Sequence, residues 1–282
     1  MKKTLVGIGY CLFGVFFVLM SLSFFSFNEK VFDDCFEPNS SFSEGEELVY
    51  RVYYNWKIVW IPAGEVRFRV YERDDEYKLE AVGKSYSSYD NFFRVRDYYS
   101  TTLDKSTMKP KTFVRYIEEG KYKKYDSLYF DQPHARIYSF NGKTKEKAKA
   151  KEFNVDPCAL DLLSVLYSLR NTEVENYNPG DFLDIEMFID EEKYPIHVVY
   201  EARETKKIKE LGKYPTLKIR PELIVGNVFK EGDVMNIWVS DDKNKVPLLI
   251  ESPISIGSVK AVLKRYSGLR NSTVLDMKSA NK

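Results

Sequence analysis

From Glu46 onward the chain alternates between apolar and polar side chains. Val66, Phe68 and Val70 fall on one side of an extended backbone, with Arg67 and Arg69 on the other. Leu183, Ile185, Met187 and Ile189 alternate with Asp184, Glu186 and Asp190, and Ile196, Val198 and Tyr200 with His197 and Glu201. Met235, Ile237 and Val239 alternate with Asn236 and Ser240, and Val259, Ala261 and Leu263 with Ser258, Lys260 and Lys264. Successive side chains of a strand point to opposite faces. A period of two with one apolar face therefore predicts antiparallel strands with one side on a core and the other in water. The breaks between the runs, ERDDE at 72–76, EEGK at 118–121, FNGK at 140–143, DEEK at 190–193 and SDDKNK at 240–245, are short and polar and predict hairpins. This spacing gives roughly a dozen strands of ordinary length.

One stretch has a different period. In DPCALDLLSVLYSLRN, residues 156–171, Ala159, Leu162, Leu163, Leu166 and Leu169 recur at helical spacing, and Leu160, Val165 and Tyr167 spread the apolar surface round the sides. Asp156 suits the N-cap and Pro157 the first helical position, which predicts a helix over about 157–170. Only Asp161, Ser164 and Ser168 form a polar strip, so the helix must be enclosed. A large bent sheet can enclose it. The expected fold is mainly β, a strongly curved antiparallel sheet, open or a partial barrel, packed around one buried helix. An aromatic content of 15%, with 21 Tyr and 19 Phe, agrees with a sheet protein.

The first 27 residues differ from the rest. Lys2 and Lys3 precede an uncharged apolar run at 5–27, as in an export signal. Ser21 and Ser23 offer a cleavage site after Ser23, and the run is also long enough to act as an uncleaved anchor. Neither Cys11 nor Cys35 follows the small residues that a lipidated cysteine requires. The expected order is a signal peptide or anchor over 1–27, a linker over 28–42, one β-rich domain over 43–268 and a flexible tail over 269–282. Export leaves Cys35 and Cys158 in an oxidising compartment, and a disulfide between them is expected.

The composition excludes more chemistry than it suggests. Forty-three Lys and Arg balance 42 Asp and Glu, which gives no electrostatic footprint for nucleic acid. The basic run KTKEKAKAKE at 143–152 reads as a solvated loop or a frayed helical turn. There is no G-x-S-x-G elbow, no H-E-x-x-H and no Gly-rich phosphate loop. His134 and His197 are isolated, and the pairs Asp74-Asp75, Glu118-Glu119 and Asp241-Asp242 sit where turns favour acids. No catalytic residue, metal or cofactor is expected. Trp56, Trp60 and Trp238, with Leu162 and Leu166 of the helix, could line a cavity for an apolar ligand. The expected role is a non-enzymatic carrier of a lipid-like ligand held between sheet and helix. The alternative is an envelope scaffold acting through a protein partner, with a hydrolase the weaker third reading. Membrane contact is expected only through the N-terminal segment, if it is retained.

Three stretches together carry a family resemblance: GEELVYRVYYNWKIVWIPAGEVRFRV at 45–70, DLLSVLYSLRN at 161–171 and IWVSDDKNKVPLLIESPISIGSVKAVL at 237–263. Their order, a strand pair with Ala63-Gly64, a single helix, then a Trp strand, an acidic turn and Pro247, resembles the DUF3108 family of exported proteins. That resemblance implies the periplasm or cell envelope of a Gram-negative bacterium and no known activity. At the level of fold alone, the pattern is similar to the LolA/LolB-type and RseB-type periplasmic half-barrels, which carry or sense lipid groups.

Overall fold

The structure, a computed structural model, describes residues 35–56, 59–174, 176–221, 234–253 and 257–276. The apolar leader, Cys11 and the cleavage position after Ser23 lie outside the described residues. The strands are β1 (Glu47–Trp56), β2 (Val59–Arg73), β3 (Glu76–Ser85), β4 (Arg96–Asp104), β5 (Pro110–Glu119), β6 (Tyr122–Asp131), β7 (Arg136–Gly142), β8 (Lys149–Asn154), β9 (Phe182–Ile189), β10 (Glu192–Ile208), β11 (Gly212–Pro221), β12 (Asn236–Ser240), β13 (Pro247–Pro253) and β14 (Ser258–Ser267). A four-residue helix, α1 (Asp90–Phe93), precedes β4, and α2 (Leu162–Asn171) lies between β8 and β9.

All fourteen strands form one sheet in the order β8-β7-β6-β5-β4-β3-β2-β1-β14-β13-β12-β11-β10-β9. Every neighbour is sequence-adjacent except β1 and β14, which join the first and last strands. The ladder is antiparallel throughout, and it is not closed, since β8 and β9 are edges. The two ends of the sheet instead approach face to edge. Phe188 of β9 is fully buried among Phe113, Leu128, Phe130 and Ile137 of β5 to β7. The chain leaving β8 adds one parallel bridge to β9, with Leu160 N–H donating to Glu186 O at 2.9 Å and Phe188 N–H to Leu160 O at 2.8 Å.

That bridge explains why α2 starts later than its sequence pattern suggests. Asp156 is not the N-cap and Pro157 is not helical. Leu160 is held by β9, so the helix can begin only after it, at Leu162. Asp161 is the cap: its Oδ1 accepts from Leu163 N–H and Ser164 N–H, while Ser164 Oγ accepts from Asp161 N–H in return. The expected polar strip is therefore partly the cap itself, and it is buried. Asp156 serves a turn, accepting from Cys158 N–H at 2.7 Å.

Around α2 the core divides. Leu163, Leu166 and Tyr167 pack on Val70, Leu79, Ala81 and Leu103 of β2 to β4, with Phe42. Leu162, Val165 and Leu169 pack on Ile185, Ile196 and Val198 of β9 and β10. The helix thus lies between two arms of one sheet, with burial on both sides.

Three further sequence expectations change. The run at 143–152 is neither loop nor helical turn along its length. After a short 3-10 turn, Lys149–Asn154 becomes edge strand β8, paired to β7 from Asn141↔Lys149 to Arg136↔Asn154. Its lysines suit an edge, where charge discourages pairing with another chain. The stretch expected as a linker is built into the core from Cys35: Phe42 and Ser41 are fully buried. The tail expected from 269 packs as far as Leu275, which joins the core of β1, β13 and β14.

Candidate functional site: the inner face of the sheet

The face that carries α2 has a closed end and an open end. The closed end is where β1 starts and α2 finishes. Arg170, in the last turn of α2, is wholly buried and forms a two-pronged ion pair with Glu46, 2.6 Å from Nη1 to Oε1 and 2.7 Å from Nη2 to Oε2. It also donates to the carbonyls of Asn244 at 3.0 Å and Ser41 at 3.3 Å, and stacks over Tyr167 at 5.1 Å. Such a planar fork satisfies both carboxylate oxygens at once. Burial works against the charge on Arg170, but the hydrogen-bonded carboxylate of Glu46 outweighs it and holds the guanidinium more strongly charged than usual. Burial pushes the Tyr50 and Tyr167 hydroxyls well above the usual range. Asn171 Oδ1 accepts from Ser40 N–H, Ser41 N–H and Ser41 Oγ. Asn244 joins the β12–β13 loop to the C-terminal segment through the carbonyls of Asn271 and Ser272. A disulfide links Cys35 to Cys158, with Cα atoms 5.5 Å apart, so the N-terminal segment is fastened near the entry of α2 as well.

Away from this floor, an apolar row crosses the inner face in register. Ile219 pairs with Ile237, Ile237 with Ile250, Ile250 with Ala261, Ala261 with Val52 and Val52 with Gly64. Val66 and Gly83 continue it one step on, and Asp97 follows across β4. Ile219, Ile250, Ala261, Val52 and Val66 are only half-buried, although they face the same side as the core. Gly64 is required by close approach: a Cβ there would lie 2.3 Å from Lys84 O. On the helix side, Leu162, Leu166 and Leu169 are also half-buried. Apolar side chains thus face one another from sheet and helix without being fully covered.

Charges bound this row. Asp97 accepts from Glu118 N–H at 3.1 Å, and burial beside Glu119 raises its carboxyl to about 6. Across the inner face, the β9–β10 turn is clasped to β5, β6 and β8. Asp190 bonds both Arg115 and Lys124, and Glu191 bonds Lys151. Arg115 also lies 3.1 Å from the fully buried Asp126, whose carboxyl is pushed up by desolvation. The clasp holds the second edge of the sheet against the first arm without backbone pairing.

The family model for proteins of unknown function DUF3108 matches residues 49–264, from β1 to β14. The chain belongs to the DUF3108 family. No curated protein is similar enough in sequence to match it. Among solved structures, this DUF3108 chain is similar to the β-barrel-like protein of the domain of unknown function DUF1849 from Brucella abortus, with 8% identity, TM-score 0.55, and 80% of this chain and 98% of that one covered. A protein of YmcC-like fold from Bacteroides fragilis matches with 14% identity, TM-score 0.32, and 82% and 98% coverage. The first of these shows a shared fold.

The residues expected to line a cavity separate in the DUF3108 fold. Leu162 and Leu166 do face the interior, on opposite flanks of α2. Trp238 does not. Its neighbour Ile237 is in the apolar row, so strand alternation puts Trp238 on the outer face, in register with Lys218 and Leu249, where it is nonetheless buried in the cluster of Tyr53, Ile208 and Tyr214. There its indole N–H donates to Glu204 at 2.7 Å and Lys206 Nζ lies 3.5 Å above the ring. Trp60 is likewise outside, with Lys260 4.4 Å from its ring centre. Trp56 ends β1, and its side chain lies outside what is described. The lining is aliphatic instead, and its signal was the same alternation that located the strands. His134 bonds Asp131 at 2.8 Å and His197 bonds Asp184, both on the surface. Glu46, Arg170 and Asn171 had only a weak signal, a charge and an amide closing an otherwise apolar helix.

Proposed function

We propose that this DUF3108 protein is an exported, non-enzymatic carrier in the cell envelope that holds an apolar, lipid-like ligand between the sheet and α2. The observation that carries the reading is the apolar row Ile219–Ile237–Ile250–Ala261–Val52, half-buried at every position but Ile237, facing half-buried leucines of the helix. An acyl chain completing that burial removes apolar area from water, worth about 25 cal/mol per Å². Aliphatic walls with few polar groups suit a ligand chosen by shape rather than by hydrogen bonds. The apolar leader at 5–27 and a disulfide stable in an oxidising compartment support export.

The test is native mass spectrometry of the protein purified from its own host, with organic extraction alongside. A near one-to-one apolar species that disappears in Val52→Trp or Ala261→Trp, with melting temperature unchanged, supports the carrier. An apo mass in the wild type, with a stoichiometric protein recovered by pull-down, moves the role to an envelope scaffold.

A further inference from the structure

The open end of the sheet carries a second feature that ligand holding does not use. β3, β5 and β7 run toward this end and β4, β6 and β8 start from it, so the turns between them lie along one rim. Large apolar side chains are exposed there, Phe92 at 88%, Phe93 at 55% and Tyr122 at 55%, and Val59 at the start of β2 at 56%. Single exposed hydrophobics are ordinary on a protein surface, but these are grouped. The Phe93 ring lies beside Gly120 of the β5–β6 turn, where a Cβ would meet it at 3.3 Å. Gly120 N–H donates to Arg94 O at 2.8 Å, and Tyr122 pairs with Glu119 at the same turn. The next segment toward β2 is tied in by Tyr86 N–H donating to Ala63 O at 3.0 Å.

The segment is held in this shape. Ser85 Oγ donates to Asp90 at 2.6 Å and accepts from Val95 N–H at 3.0 Å, and Arg96 bonds Asp90. The phenylalanines are therefore presented outward by a fixed turn while that turn's acid is neutralised internally. Glu118 is likewise engaged, by Arg94 at 3.0 Å and Lys123 at 3.8 Å. Lys84, Lys121, Lys143, Lys147 and Lys149 are exposed at the same end and make no ion pair with any described residue. Aromatic side chains among unpaired lysines match the boundary of a bilayer, where rings enter the interface and ammonium groups meet lipid phosphates.

We infer that this rim docks on an anionic membrane surface, with Phe92, Phe93 and Tyr122 entering the interface and the lysines of the β5–β6 and β7–β8 turns contacting lipid phosphates. The apolar row begins a few residues below the rim: Val66 pairs with Gly83, two residues before Ser85. Docking would set the mouth of that row against the bilayer.

The compact unit Cys35–Lys282 contains every described element, the disulfide and all the core clusters, and so can be tested without the apolar leader. Ligand-free protein is sedimented with vesicles of phosphatidylglycerol and phosphatidylcholine, and with phosphatidylcholine alone. The expected result is binding to the anionic vesicles that falls at least fivefold on neutral ones and in 0.5 M salt, roughly what screening of surface charge implies. Phe92→Ser with Phe93→Ser, and separately Lys121→Glu with Lys143→Glu, should each lower it at least fivefold with melting temperature unchanged. Protein left in the supernatant with anionic vesicles, or variants that bind like the wild type, overturns the inference. Equal binding to neutral vesicles overturns its electrostatic part. Because no ligand is present, these outcomes are independent of the carrier reading.

Discussion

The two ends of the sheet use the same residue types for opposite purposes. At the closed end, polar groups are drawn inside and paired: Glu46 with Arg170, Asn171 with Ser40 and Ser41, and Asn244 with Asn271 and Ser272. At the open end, lysines and aromatics are left facing water and the apolar row beneath them is half covered. Burying an ion pair is worthwhile only when every polar atom has a partner. The Glu46–Arg170 pair meets that condition, since the remaining guanidinium donors reach the carbonyls of Ser41 and Asn244. A region so bound cannot easily move or open, and the proposed ligand row and membrane rim both lie away from it.

The sharpest way to break this comparison is to remove one half of the buried pair. Arg170→Met leaves Glu46 buried and uncompensated and is expected to cost about 3–5 kcal/mol, read as a large fall in denaturation midpoint. Removing both charges with Glu46→Met and Arg170→Met should recover much of that loss, which a purely steric role would not produce.

Cys35→Ser with Cys158→Ser frees the N-terminal segment. For a sequence separation of 123, the chain-entropy model gives about 5 kcal/mol, and measured losses of native disulfides are about 2–5. Reduction of the wild type should lower the melting temperature to the same degree as the double variant.

Asp161 makes a pH-dependent difference. Burial holds its carboxyl at about 6 in the folded protein, against the usual 3.8. Between those values the native state binds more protons than the unfolded state, so stability falls as pH rises. The contribution is full below about pH 4 and is lost on passing pH 6, by on the order of 2–3 kcal/mol. Its Oδ2 has no hydrogen-bond partner, while Oδ1 serves Thr101 and the cap. Asp161→Asn should therefore keep the fold and flatten the slope of unfolding free energy between pH 4 and 6. Asp97, also raised to about 6, acts in the same direction and leaves a smaller residual slope.

The smallest effect is expected at the clasp. Asp190 is partly exposed, so Asp190→Asn should cost only about 0.5–1 kcal/mol globally. Because it fastens the β9–β10 turn to Arg115 and Lys124, local amide exchange in β9 and β10 should rise more than exchange in β1 to β3.

Much of the architecture was written in the period of the chain. Alternation located the strand faces in β2, β9, β10, β12 and β14 and put Ile237 on the inner face; the same rule puts Trp238 on the opposite face, against its expected place in the cavity lining. The apolar helical run required an enclosure, and one sheet supplies it. Period is a local property, carried by neighbouring side chains, so a sequence states it directly. What the tertiary structure alone decided was non-local. Leu160's bridge to β9 moved the helix start, pairing with β7 turned a basic run into β8, and the partners of Arg170 and Asn171 come from segments up to 131 residues away. Where the cover over the inner face stops, leaving one row half exposed, depends on how far the two arms of the sheet curl around α2. That is fixed by packing among distant residues, and no local pattern encodes it.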